Sequence, residues 1–246
     1  MSNKIDIQIA VTFWNRFPER LESLKKTYDT FEKNVMFGKY THEWFISCES
    51  ERNVDKNLVE EFLKSKPNIK YVWKKGKPSL HSNLNNLLMK CTSPIIFYLQ
   101  DDWVTTRPIN IEQDTEFLLN SDYDVVRYRY SRREPDALKL INKDLNLYEI
   151  SHKVNNLYSD QPHMKKITFH KKYGYFPEST FRGYDTGDCE NKFVNLIKKT
   201  DAKFLFKKPE DESKELFKHV STYEKSTLKE KWDRHPTIIE RRKNKK

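Results

Sequence analysis

The stretch IIFYLQDDW, residues 95–103, runs an apolar segment straight into Asp101 and Asp102. A single Asp at the end of a strand is ordinary, because Asp favours turns and caps the next element. Two adjacent carboxylates repel each other, and a chain that keeps them at a sheet rim gives them something positive to hold. Hard oxygen ligands in a pair suit Mg2+ or Mn2+, which take one or two protein carboxylates and complete their shell with substrate phosphates and water.

Other candidate residues fall at the ends of other apolar runs. VTFWNR (11–16) supplies Thr12, Trp14, Asn15 and Arg16. Trp14 suits stacking on a nucleobase and Arg16 the charge of a phosphate, although packing of Trp14 under the next helix is an equal alternative. Glu49, in CES (48–50), suits hydrogen bonds from a ribose or a base N–H, or plain solvation. The segment KKGKPSLHSNLNN (74–86) joins three lysines to polar side chains that include His81 and Asn83. It reads as a diphosphate-holding loop or as a soluble surface. A carboxylate pair beside base-stacking and phosphate-binding groups describes a nucleotide-diphosphate site, in which a divalent ion neutralises a leaving diphosphate.

The elements that must position these groups follow from periodicity. IDIQIAV (5–11) alternates as a strand, and Pro18 opens a helix with Leu21, Leu24, Tyr28 and Phe31 on one face. EWFISC (43–48) is a second strand, and 55–65 a helix with Leu58 and Phe62 toward the sheet. NIKYVW (68–73), a helix over 80–91 and PIIFYL (94–99) repeat the pattern. Such alternation implies a mostly parallel sheet covered on both faces, with ligands beyond the carboxyl ends of its strands. Farther on, DVVRYRYS (124–131) reads as a strand and 164–176 as one or two more. Residues 188–200 read as a helix with Phe193, Leu196 and Ile197 on one face, while 132–163 has no clear periodicity. The aromatic YRYSRR (128–133) suits either an acceptor sugar or an ordinary strand.

Composition narrows the classes. With 36% hydrophobic residues in 246, the chain can build a core, and its apolar runs fall short of the ~20 residues of a membrane span. The start MSNKIDIQIAV lacks a signal-peptide core, so a soluble, unexported protein is expected. Three widely spaced cysteines, Cys48, Cys91 and Cys189, suggest neither a disulfide framework nor a Cys-type zinc site. Five glycines form neither GxGxxG nor a P-loop. The net charge of +10 suits nucleic acid, an anionic membrane or phosphorylated ligands without choosing among them, and RRKNKK (241–246) reads as a solvated tail.

VTFWNR resembles the T-x-Y-N-[KR] opening of the GT-A glycosyltransferases, especially their family 2-like branch. LHSNLNNLLMKCTSPIIFYLQDDW resembles the helix and DxD strand of that fold, with Gln100 at the first acidic position. The resemblance implies metal binding by Asp102 and ribose contact by Asp101. GYDTGDCENKF (183–193) resembles the acidic start of the acceptor-side helix, which implies Asp188 as the general base, with Glu190 as the alternative. FKHVSTYEKS (217–226) resembles a late segment whose His completes the metal shell, here His219, with Ser221 displaced from the usual Gly.

The expectation is thus a single GT-A catalytic domain over 1–240, with a donor half (1–104), an acceptor half (105–240) and a basic tail. It would move a sugar from a nucleotide-diphosphate sugar, UDP-sugar favoured and GDP-sugar as the alternative, to an acceptor hydroxyl, with Mn2+ or Mg2+ and with inversion. Acceptors in view are a glycan, a lipid-linked sugar or a protein-linked sugar, and the tail suits a peripheral hold on an anionic membrane. A Lys- and Asn-rich composition fits the cytoplasm of a bacterium or of a virus-infected host cell. Two rival readings remain. A sugar nucleotidyltransferase typically carries a Gly-rich loop after the first strand, which is missing here. A basic nucleic-acid-binding protein leaves Asp101 and Asp102 without a role, so no nucleic-acid partner is expected.

Overall fold

The computed structural model describes residues 5–15, 18–50, 55–76, 79–128, 138–154, 157–158, 161–177, 186–211 and 214–220, with the backbone alone at Pro18 and at 186–188. The first hundred residues comprise β1 (Ile7–Asn15), α1 (Pro18–Asn34), β2 (Val35–Met36), β3 (His42–Ser50), α2 (Asn57–Lys64), β4 (Ile69–Trp73), α3 (Leu80–Lys90) and β5 (Ile95–Gln100). Beyond them come β6 (Trp103–Thr105), β7 (Ile109–Asn110), α4 (Glu112–Asn120), β8 (Val125–Tyr128), β9 (Leu138–Asn142) and β10 (Leu147–Ile150). The described chain ends with β11 (His163–Lys166), α5 (Thr168–Tyr173), α6 (Thr186–Ile197), β12 (Phe204–Lys207) and β13 (Phe217–His219).

Nine strands form one sheet in the order β4-β3-β1-β5-β11-β8-β12-β10-β9. β4, β3, β1 and β5 run parallel, as the helices between them require, and β12 lies parallel to β8. β11 enters antiparallel between β5 and β8. The two-residue period of β1 sends Ile7, Ile9, Val11 and Phe13 into a core with Leu24, Phe31, Trp44 and Phe97. Ala10 joins the opposite core with Leu84, Leu87, Tyr98, Phe169 and Phe193. Helices α1, α2 and α4 therefore cover one face, and α3, α5 and α6 the other.

Leu21, Leu24, Tyr28 and Phe31 are buried as their spacing requires. Three expectations need correction. In α2, Val59 and Leu63 are buried and Phe62 packs partly buried against the same core as expected, whereas Leu58 is 63% exposed. In α6, Cys189, Phe193, Val194 and Ile197 are buried while Leu196 is largely exposed. Residues 168–173, read as strand, form α5, stopped by Gly174 at φ 94°. The tail 241–246 and most of YRYSRR lie outside the described residues; Tyr128 is buried and donates its hydroxyl to Asp114 Oδ2 at 3.1 Å.

At the seam between the halves, β11 buries an amine. Lys165 is 0% exposed, with its Nζ 2.8 Å from the Tyr158 hydroxyl and 2.9 Å from His170 Nε2. Burial pushes its pKa down to about 7, and burial also holds His163 and His170 well below the usual histidine range. Between about pH 7 and the ordinary lysine value of about 10.4 the unfolded chain keeps a proton the folded chain has released, so stability rises with pH across that window. Lys165→Met is therefore expected to be more stable than the parent by up to about 4 kcal/mol near neutral pH, with the advantage shrinking by about pH 10. Urea denaturation at both pH values checks this, and a variant less stable at neutral pH would refute it.

Candidate functional site

β5 ends at Gln100, and the chain turns through Asp101 and Asp102 before re-entering β6. Continuing the alternation of β5 directs Asp101 to the α1 side, where Thr27 Oγ1 donates to its carbonyl at 3.0 Å. Both aspartates are buried, at 1% and 4% exposure. The first turn of α1 supplies what they hold. Arg20 spans the pair, its Nη1 donating to Asp102 Oδ2 at 2.9 Å and its Nη2 to Asp101 Oδ1. A second cation comes from far along the chain. β13 pairs antiparallel with β6, setting His219 opposite Trp103, and the Val220 N–H donates to the Asp102 carbonyl at 2.7 Å. His219 Nε2 then lies 3.2 Å from Asp102 Oδ2.

The electrostatics divide the pair. Burial pushes Asp101 up to about 7, against the pull of Arg20 and with the charge of Asp102 adding to the rise. Burial also opposes the charge on Asp102, but the His219 hydrogen bond and the Arg20 guanidinium outweigh it and hold that carboxyl below the usual range. The same contact with Asp102 raises His219. Asp101 Oδ2 and Asp102 Oδ1 are buried without a hydrogen-bond partner among the described residues. Two such oxygens beside an imidazole fit a hard divalent ion. With Arg20 across the pair, however, no group of three or more His, Cys, Asp or Glu among the described residues is laid out to hold one.

Thr12, Trp14 and Asn15 lie within β1, which runs four residues beyond its expected end at Val11. The Thr12 hydroxyl is 3.2 Å from the Tyr98 hydroxyl. Trp14 is part-buried on the strand face that Thr12 shares. Asn15 Nδ2 donates to the Asp55 carbonyl at 3.0 Å and so ties β1 to the chain beyond β3. Gln100, at the end of β5, is part-buried. Glu49 is buried rather than solvated. It accepts from Lys74 Nζ at 2.9 Å and from the Ser79 N–H at 3.0 Å, holding the lysine-bearing loop and the start of α3 against the rim.

Asn83 is bonded within the fold. It accepts from Ser47 Oγ at 2.5 Å and donates to the Ser47 carbonyl at 2.9 Å, so its amide fastens α3 to β3. His81, in the first turn of α3, is buried with its ring 5.6 Å from Phe176. Burial lowers its pKa, and the charge of Glu190 works the other way, which sets Glu190 of α6 beside the rim end of α3. Arg16 and the side chain of Asp188 lie outside the described residues.

Arg20 is the member that periodicity and motif missed. An Arg in a helix's first turn faces the positive end of the helix dipole, so a nearby anion is the physical reason to keep it there. That mismatch was the available signal.

The chain is similar in structure to TarS 1–349 of S. aureus, with a TM-score of 0.58 and 13% identity over 88% of this chain and 60% of that one. The mannosyltransferase PcManGT from Pyrobaculum calidifontis, solved with GDP-Man and Mn2+, gives a TM-score of 0.53 and 13% identity over 78% of this chain and 52% of its own. The fold is of the GT-A type. GalNAc-T7, solved with UDP, GalNAc and Mn2+, agrees at a TM-score of 0.61 and 11% identity, over 89% of this chain and 44% of that one. This chain therefore spans about 60% of the TarS 1–349 length and less of the others. No protein-family model and no curated protein matches it.

Removing one partner of a buried ion pair leaves an uncompensated charge, typically at a cost of about 3–5 kcal/mol. Arg20→Gln is expected to lose that much stability in urea denaturation at neutral pH, and a loss under about 1 kcal/mol would show that the pair does not depend on Arg20. Asp101 adds a pH signature. Its folded pKa stands above the unfolded value, so its contribution is full below about pH 4 and is lost as pH rises through about 7. Relative to Asp101→Asn, the parent is expected to lose stability across that window; a pH-independent difference would contradict the shift.

Proposed function

We propose that the protein is a glycosyltransferase that moves a sugar from a nucleotide-diphosphate sugar to an acceptor hydroxyl, with inversion. The observation that carries this reading is the convergence of Asp101, Asp102 and His219 on one rim of a GT-A sheet, within reach of the ends of β1 and β3. A UDP-sugar is the favoured donor and a GDP-sugar the alternative. The acceptor is a glycan, a lipid-linked sugar or a protein-linked sugar. Residues 1–104 form the donor half in this reading, and 105–240 the acceptor half. The fold likeness favours neither a nucleotidyltransferase nor a nucleic-acid-binding protein. Among the described residues no helix is long and apolar enough to cross a membrane.

In this reading Trp14 stacks on the base, while Asp101 orients the ribose. Glu49, already bonded to Lys74 and Ser79, braces the lysine loop that faces the diphosphate. Asp102 and His219, with the open oxygen of Asp101, would hold Mn2+ or Mg2+, which when bound neutralises charge on the diphosphate. The acceptor oxygen attacks the anomeric carbon as the bond from that carbon to the diphosphate oxygen breaks, and the bonding pair leaves with the diphosphate. A carboxylate at the start of α6 takes the acceptor's proton: Asp188 by its place in the motif, with Glu190 the alternative.

Two measurements test this. UDP or GDP with Mn2+, at about 100 times its dissociation constant, should add about 2.7 kcal/mol of apparent stability to the wild type and none to Asp102→Asn. No response to any nucleotide diphosphate would sink the reading. With the donor known, Asp188→Asn is expected to lower kcat by about 100-fold to 10,000-fold with little change in donor affinity. If Asp188→Asn turned over normally and Glu190→Gln did not, the base would be Glu190.

A further inference from the structure

A nucleotide-diphosphate site of this kind needs its two carboxylates available to a cation, yet here a protein cation already has them. Arg20 is 12% exposed at its side chain and bonds one oxygen of each aspartate. His219 takes a further contact with Asp102. The carboxylate pair therefore already has two protein partners without any added ion. Yet it is not saturated, because Asp101 Oδ2 and Asp102 Oδ1 stay buried with no hydrogen-bond partner among the described residues. Such oxygens are costly to bury unpaired. Set across the pair, the planar guanidinium of Arg20 bonds one oxygen of each carboxylate. A small divalent ion can draw on oxygens from both carboxylates.

We propose that Arg20 is an exchangeable counter-ion: its guanidinium neutralises the aspartate pair until a divalent cation takes its place, so that ion and guanidinium compete for the same two carboxylates. The exchange has a direction. A bare divalent ion entering the rim must displace the bonded guanidinium, whereas an ion arriving with a nucleotide diphosphate brings compensating negative charge and offers the released guanidinium an anion to bind. Metal and nucleotide thus bind with positive coupling, each raising the affinity of the other by the same factor. This last step rests on the glycosyl-transfer reading; the competition itself does not.

The test is a titration with Mn2+ alone, read by the loss of the electron paramagnetic resonance signal of the free aquo ion. Arg20→Gln is expected to bind Mn2+ at least tenfold more tightly than the wild type, while Arg20→Lys, which keeps a cation, stays close to it. Asp102→Asn added to Arg20→Gln should abolish the gain. A second background relieves one of the exposed charges: Asp101→Asn with Arg20→Gln should bind Mn2+ more tightly than Asp101→Asn alone. Equal or weaker Mn2+ binding in both Arg20→Gln backgrounds, or a gain that survives Asp102→Asn, overturns the competition. UDP or GDP should then tighten Mn2+ binding to the wild type. A gain in Mn2+ affinity with no nucleotide response would overturn the donor-site reading and leave the exchange standing. A nucleotide response with no gain would do the reverse.

Discussion

Two carboxylates buried side by side at the end of β5 would not stay there alone, and the architecture around them reads as the means of supplying their partners. Arg20 arrives because α1 packs Leu21, Leu24, Tyr28 and Phe31 into the sheet, which fixes the helix's first turn over the rim. His219 arrives because β13 pairs with β6 immediately after the aspartates. The Thr27 hydroxyl and the Val220 N–H then satisfy the carbonyls of the same two residues. Backbone and side chain are thus tied at one point by two separate parts of the chain.

The strand period makes this possible. Because β1 and β5 are parallel and in register, Val11 lies beside Leu99 and Thr12 beside Gln100. The aspartates that follow β5 meet Arg20 of α1, while Thr12 on the opposite face of β1 meets Tyr98 of β5. The site therefore has two walls built from the alternate faces of the same strands. Glu49 and Asn83 serve the second wall from within, by bracing α3 and the lysine loop against β3.

Much of this was legible in the sequence. The alternation of strands and helices through Gln100, the buried face of α1 and the approach of His219 to Asp102 all follow from periodicity or motif order. The errors have physical causes. In α2, Leu58 and Val59 are adjacent and equally well spaced to an apolar residue four positions on, and only the sheet decides that Val59 is the one buried. In 164–176 the alternating apolar residues suggest strand, but Gly174 stops a helix there, a signal that was present and outweighed. β12 lies beyond the last helix that was read, and no periodic partner announced it. Arg20 was illegible to pattern because its reason for being is an anion 81 residues away, and the amide bonds of Asn83 on α3 to Ser47 of β3 because they join residues 36 apart.

The pairing of β6 with β13 bears on how the chain reaches its fold. Synthesis proceeds from the N-terminus, so Arg20 and the aspartates emerge long before His219 does. Until β13 docks, the pair has one of its two cations, and burying it leaves net negative charge in a low-dielectric rim. The apolar core beneath the rim is itself incomplete until the same segment arrives, because Leu216 and Phe217 pack into it beside Phe31 and Phe97. The pairing of β13 therefore brings the second cation to the rim in the same step that completes the core beneath it, and until then the two aspartates are expected to face water.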